Sequence, residues 1–186
     1  MLVQRSLSPD TIAIVDTNEG AAAVIASLSK KLAAMLSVEQ TVIEDAVLDR
    51  ERVRTTAFPN GAAIPHCRLP RLGRFGIGLM VLQQPVCWDS QGHNVDTVMM
   101  IVGPTENVSD HLRILANSSQ MLDSSALRAK LKRAPDARSA HELVCAAEEI
   151  IEQRRHQVGM LREIRKDQEN GTNTDFLADV ANRFEW

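Results

Sequence analysis

The sequence predicts an α+β fold, a layered helix/sheet/helix sandwich with a helical C-terminal extension, on three observations. Apolar residues recur at helical spacing early in the chain, at Val24, Leu28, Leu32 and Leu36. A nearly continuous apolar run, Val98-Met99-Met100-Ile101-Val102, then stops at Gly103-Pro104, as a strand buried on both faces does. Helical periodicity returns after residue 107 and continues towards the end. Helices before and after a group of strands imply a sheet covered on both sides.

Taken in order, Ile12-Ala13-Ile14-Val15 is a short strand in an approach segment. Thr17 or Asn18 then caps a helix from Ala21 to Leu36, whose stripe Ile25 and Met35 widen. A second helix runs from about Val38 to Arg52 with Val38, Val42, Ala46 and Val47 on one face. Arg50 continues that face by a turn, where a snorkelling surface arginine is an equal alternative to a functional cation. Phe75–Leu82, bounded by Pro70 and Pro85, and Val95–Val102 are strands, and Trp88–His93 between them is a turn cluster with His93 exposed. Ser109 caps the next helix, which carries His111 in its first turn and turns Leu112, Leu115 and Leu122 inward. A short helix follows from Ser125 to Arg133, broken by Pro135. A long helix opens at Ala137 or Ser139, its stripe continuing through Val158, Leu161 and Ile164 with His141 and His156 on its polar faces. Phe176, Leu177, Val180, Phe184 and Trp186 form the apolar face of a last short helix.

Composition narrows the function classes. A chain of 186 residues supports one well-buried domain plus an appendage. Its net charge of −3, without a basic stripe, offers no footprint for nucleic acid. No apolar run approaches the roughly 20 residues of a membrane helix, and Met1-Leu2-Val3-Gln4-Arg5 lacks the apolar core of a signal peptide. Cys67, Cys87 and Cys145 have no paired spacing and read as free thiols of a reducing, cytoplasmic compartment. Cys67 beside His66 is too sparse a set for a metal site.

The chemistry centres on Thr55-Thr56-Ala57-Phe58-Pro59-Asn60-Gly61-Ala62-Ala63-Ile64-Pro65-His66. Pro65 fixes its own φ and pushes Ile64 towards an extended conformation, so His66 sits at the end of a short strand or extended edge with its ring held in a defined direction. That suits a nucleophilic imidazole, although on the dipeptide alone a loop histidine beside a proline is the commoner reading. The wider spacing carries more. Arg50-Glu51, Thr55-Thr56, Asn60-Gly61 and Ala63-Ile64-Pro65-His66 together resemble the active-site segment of the type-2 EIIA proteins, the fructose/mannitol and nitrogen-related phosphocarriers of the bacterial sugar phosphotransferase system. His111-Leu112 followed by Leu115-Ala116 resembles a second cluster of that family, and the likeness spans about residues 7–152. Pro59 stands where the family usually has glycine, and Ala62 where it usually has isoleucine or valine.

The resemblance implies a mixed central sheet and a phosphoryl group carried on His66. Such a group spreads charge over its oxygens, so Arg50 as a cation, His111 as a second donor at a helix mouth, and the Thr56 hydroxyl are the groups expected to converge on it. No metal, nucleotide or other cofactor is implied, and the absence of a Gly-x-x-x-x-Gly-Lys loop excludes a P-loop route from ATP. The implied donor is an HPr-like phosphocarrier protein or its nitrogen-branch counterpart, and the acceptor an EIIB domain or, in a regulatory role, a target protein. Phe58, Leu69 and Leu72 are candidates for the docking surface, with ordinary packing as the alternative. Residues 1–152 form the expected domain, and 153–186 an extension that packs back, pairs in a homo-oligomer or docks a partner. A folded interaction module that is never phosphorylated is a third reading.

Overall fold

A strand buried on both faces needs neighbours on both edges, and the Val95–Val102 run obtains them. The computed structural model describes residues 1–16 and 20–169. The chain divides into two units, Met1–Glu148 and Glu149–Trp186. The first begins with α1 (Leu2–Ser6), β1 (Leu7–Val15), α2 (Ala21–Leu36) and α3 (Gln40–Val53). It continues with β2 (Ala62–Ala63), β3 (His66–Leu69), β4 (Gly76–Cys87) and β5 (Asn94–Pro104). Then follow α4 (Val108–Asp123), α5 (Ser125–Lys132) and α6 (Ala137–Glu169), the last running on into the second unit.

The five strands form one mixed sheet in the order β1-β4-β5-β2, with β3 also on β5. β1 runs parallel to β4, β4 antiparallel to β5, and both β2 and β3 parallel to β5. The α+β architecture with a mixed sheet flanked by helices is as the sequence predicts. Successive strand residues point to opposite faces, and both faces are filled. Met80, Leu82, Val98, Met100 and Val102 join Val24, Leu28 and Leu32 of α2 and Ile43 and Val47 of α3 in one core. Ile77, Leu79, Met99 and Ile101 point the other way and are equally buried. Gly76 and Gly78 let α2 lie close on the sheet: a Cβ on Gly78 would stand 3.0 Å from Leu28.

Several boundaries differ from those read in the sequence. β1 starts at Leu7, five residues before Ile12, and is preceded by the unforeseen α1. β4 does not stop at Pro85; its register against β5 shifts between Val81 and Val86, so the proline lies in an irregularity where a missing N–H costs no ladder bond. α4 begins at Val108 with Asn107, not Ser109, at the N-cap position. Its inward face is His111, Ile114, Ser118, Met121 and Leu122, whereas Leu112 is 61% exposed. Val42 of α3 is likewise exposed, because Ile43 takes the inward position beside it. In α4 polar residues, His111, Asn117 and Ser118, occupy inward positions, which shifts the apparent stripe. Val158 and Leu161 of α6 are exposed, so the inward stripe does not reach them. The expected caps Thr17 and Asn18, the side chain of Ile164 and the proposed last helix lie outside the described residues.

Candidate active site

The turn before His66 accommodates its unusual residues. In Phe58-Pro59-Asn60-Gly61 the Gly61 N–H donates to the Phe58 carbonyl at 3.2 Å. Proline suits the second place of such a turn, and Gly61 closes it with φ +92°. The chain then doubles back: Phe58 N–H donates to Ala62 O at 2.8 Å and Ile64 N–H to Thr56 O at 3.2 Å. Ala62 and Ala63 are fully buried in β2. The shape of the turn is thus compatible with Pro59 and Ala62.

Two extended residues, Ile64 and Pro65, bridge β2 to β3 without loss of register, since Ala63 faces Val98 and His66 faces Ile101 on β5. His66 therefore opens β3 rather than ending a short strand, one of the two placements the sequence allowed, the other being an extended edge. It shares a face with Arg68, two residues on, while Cys67 and Leu69 point into the core.

The His66 ring is half-buried, and its Nδ1 lies 2.9 Å from the Ile64 carbonyl oxygen. A carbonyl only accepts, so Nδ1 carries the hydrogen and Nε2 keeps a free lone pair. His111, on the first turn of α4, has its ring centroid 5.6 Å from that of His66, and Phe75 stacks behind it at 6.2 Å. His66, His111, Arg50 and Arg68 line one cleft of about 450 Å³, rimmed by Val108 and Leu112. Arg50 is half-buried and ties its guanidinium to the Arg54 carbonyl at 2.9 Å, leaving further donors for the cleft.

Burial lowers the pKa of His66; the Ile64 carbonyl works against this, and Arg50 adds to it. Burial, with His66 and Arg68 nearby, pulls His111 down to about 4. Both rings are thereby favoured in the neutral form near pH 7. His111 Nδ1 is buried without a hydrogen-bond partner. Cys67, although it also touches the cleft, is held up at about 12 by burial and is not a thiolate.

Of the four candidates from the sequence, the fold brings His66, His111 and Arg50 to one cleft. Thr56 does not line that cleft: its hydroxyl donates to Glu51 Oε2 at 2.7 Å, and the residue is buried. Arg68 was not anticipated, although the strand period of two after His66 signals it. Leu69 is buried and Leu72 packs against the core, while Phe58 lines a separate hollow with Asn60 and Ala116, so none of the three borders the cleft. Instead, the exposed apolar residues there are Leu112 and Val108. His93 is not free in its turn but bonds Asp89 through Nδ1 at 2.7 Å. His141 bonds the Leu7 carbonyl at 3.2 Å rather than water. Among the described residues Cys67, Cys87 and Cys145 form no disulfide; Cys87 is exposed and Cys67 and Cys145 are buried. Among the described residues no group of His, Cys, Asp and Glu is arranged to hold a metal, and no helix is long and apolar enough to cross a membrane.

Comparison with known proteins gives this arrangement a family. Residues 5–146 match the family model for the phosphoenolpyruvate-dependent sugar phosphotransferase system, EIIA 2. A nitrogen regulatory protein of Pseudomonas aeruginosa is 35% identical over 106 residues, 56% of this chain and 68% of the relative. That of Bradyrhizobium diazoefficiens is 31% identical over 119 residues, 63% and 77% respectively. Among solved structures, the nitrogen regulatory protein IIA-Ntr of Neisseria meningitidis superposes with a TM-score of 0.70 at 18% identity, covering 77% of this chain and 99% of that one. IIA mannitol of Escherichia coli does so at 0.61 and 19%, covering 75% and 99%. On the family model, with the fold in agreement, the chain belongs to the EIIA 2 family of the phosphoenolpyruvate-dependent sugar phosphotransferase system.

Proposed function

We propose that this chain is a histidine phosphocarrier that takes a phosphoryl group on His66 Nε2 from an HPr-like phosphoprotein and passes it to an EIIB domain. One observation carries the reading: the Ile64 carbonyl holds the proton on Nδ1, so the lone pair at Nε2 is available in a cleft that also holds two guanidiniums and a second imidazole. In the transfer the donor's phosphorus–nitrogen bond breaks as a new one forms at Nε2. Nδ1 keeps its hydrogen, and no proton need leave the ring. Arg50 and Arg68 neutralise the charge on the equatorial oxygens, and His111 supplies a further donor once its ring nitrogen is protonated or turned to the group. The exposed Leu112 and Val108 offer an apolar margin on which a small protein carrying the donor can seat.

A regulatory role of the same phosphorylated site is the second reading, in which the state of His66 controls binding to a target protein. It is favoured by the two relatives named nitrogen regulatory proteins. In either reading residues 1–152 carry the phosphoryl site, and 153–186 serve a contact of their own.

The test is incubation with phosphoenolpyruvate, enzyme I and HPr-like proteins, read by intact mass. The expected result is an acid-labile gain of one phosphoryl group that is lost in His66→Ala. No gain with any of several donors points to the interaction module. Onward transfer to an EIIB protein separates the carrier from the regulator.

A further inference from the structure

We propose that Glu51 is a positioning residue of this site: its carboxylate fixes the backbone that orients the His66 ring and sets a negative charge against Arg50 and Arg68. The inference takes its purpose from the phosphocarrier reading, but its first test does not depend on it.

Glu51 follows Arg50 on α3 and so points about 100° away from it around the helix, beneath the turn. Glu51 Oε1 accepts from the Thr56 backbone N–H at 2.7 Å and from the Trp88 indole N–H at 2.8 Å. Its Oε2 accepts from the Thr56 hydroxyl at 2.7 Å. The Thr55 hydroxyl also stands 3.3 Å from Oε1, but it has one hydrogen, which goes to Asp89 Oδ2 at 2.6 Å. Thr56 is thus gripped through both backbone and side chain. Its carbonyl accepts from Ile64 N–H, and the Ile64 carbonyl accepts from His66 Nδ1–H. The path from carboxylate to imidazole therefore runs Glu51, Thr56, Ile64, His66, through three hydrogen bonds joined by the Thr56 and Ile64 backbone.

The charge matters as well as the tether. Arg50 from α3 and Arg68 from β3 suit a phosphoryl group but draw basicity from the nucleophile, and His111 from α4 faces the same ring. Glu51 acts on His66 in the opposite sense. It does so from outside the cleft, where it would not repel the phosphoryl oxygens at contact distance. A carboxylate that merely ties a turn would hold Thr56 without altering the ring.

The test compares Glu51→Gln, which keeps the shape and loses the charge, with Glu51→Asp, which keeps the charge and shortens the reach. Nitrogen-15 spectra of His66 read its tautomer and pKa without any phosphorylation. In the parent chain Nδ1 is expected to carry the hydrogen in nearly all molecules. Glu51→Gln is expected to mix the two tautomers and lower the His66 pKa by about half a unit, as loss of a nearby charge does. Glu51→Asp should restore the pKa more than the tautomer. Phosphorylation of Glu51→Gln should be roughly tenfold slower, the cost of a misdirected nucleophile. Unchanged tautomer and pKa in a folded Glu51→Gln overturn the proposal. If that variant does not fold, Thr56→Val against Thr56→Ser decides: only the valine should shift the spectra, and no shift overturns the proposal. A parent chain that accepts no phosphoryl group defeats the phosphocarrier reading, while the spectra still decide the role of Glu51.

Discussion

At the scale of single residues, the decisive feature is that two neutral imidazoles stand beside two arginines. Among the described residues that line the cleft none is acidic, so Arg50 and Arg68 should each serve an incoming anion. We expect Arg50→Ala and Arg68→Ala each to slow phosphorylation of His66 by about 10²-fold, the usual cost of one electrostatic donor. Rapid-quench rates check this, and parent rates in either variant remove that residue from the site. The same burial leaves a mark on stability. Above pH 6.5 His111 is neutral in both folded and unfolded chains, and from 6.5 down to about 4 only the unfolded chain takes up the proton. Stability should therefore fall as pH falls through that window, with His66 contributing in the same direction. Urea midpoints measured between pH 7 and 4 should show the slope, and His111→Gln should reduce it. His66, Arg50 and His111 could be grouped from the sequence only through the resemblance of their spaced motifs to the EIIA family, since position alone left a loop histidine and a surface arginine as equal or commoner readings. Thr56 was legible as a residue but not in its partner, since nothing in the sequence tells that Glu51 reaches it first. The pairing of Asp89 with His93 was hidden for a similar reason: a turn rich in Gly and Asn looks solvent-exposed until its side chains are seen to bond one another.

At the scale of elements, the approach of α4 to the sheet depends on Gly103, which pairs with Arg68 across β3 and β5. A Cβ there would collide with the Phe75 ring and come within 3.2 Å of His111 Nδ1. Gly103→Ala should thus cost about 1–3 kcal/mol, as overpacking does. It should also move the His111 resonances, because Phe75 is the wall behind that ring. A denaturation midpoint at the parent value with an unmoved His111 would contradict this. The strand pattern of β5 was readable because a run buried on both faces has no alternation to confuse. The face of α4 was not, because Asn117 and Ser118 are buried and Leu112 is exposed. Hydrophobicity alone rotates that helix wrongly, and the residue it misplaces, Leu112, borders the cleft.

At the scale of the whole molecule, Glu148 joins distant parts of the first unit. It is fully buried, accepts from the Val3 and Gln4 backbone N–H groups at 2.9 and 2.8 Å, and lies 3.4 Å from the Asn117 amide. Glu148→Ala takes the carboxylate from the Val3 and Gln4 N–H groups, each at a cost of roughly 1–3 kcal/mol, so the melting temperature should drop clearly while His66 is expected still to accept a phosphoryl group. A variant that melts with the parent would show that water or Asn117 replaces the carboxylate. The layered fold was legible because helix and strand periods differ; this tie was not, since a glutamate among Ala146, Ala147 and Glu149 gives no sign of facing inward. The same distance between periodicity and side-chain placement bears on the far margin of the sheet. There β2 and β3 lie end to end along β5, parted by Ile64 and Pro65, and the backbone of residues 56–58 doubles back onto β2. A visiting protein would consequently find, among the described residues, no long open backbone ladder to extend beside His66. Its specificity must be written in side chains meeting the helical rims, so charge or methyl changes there should retune recognition without remaking the sheet.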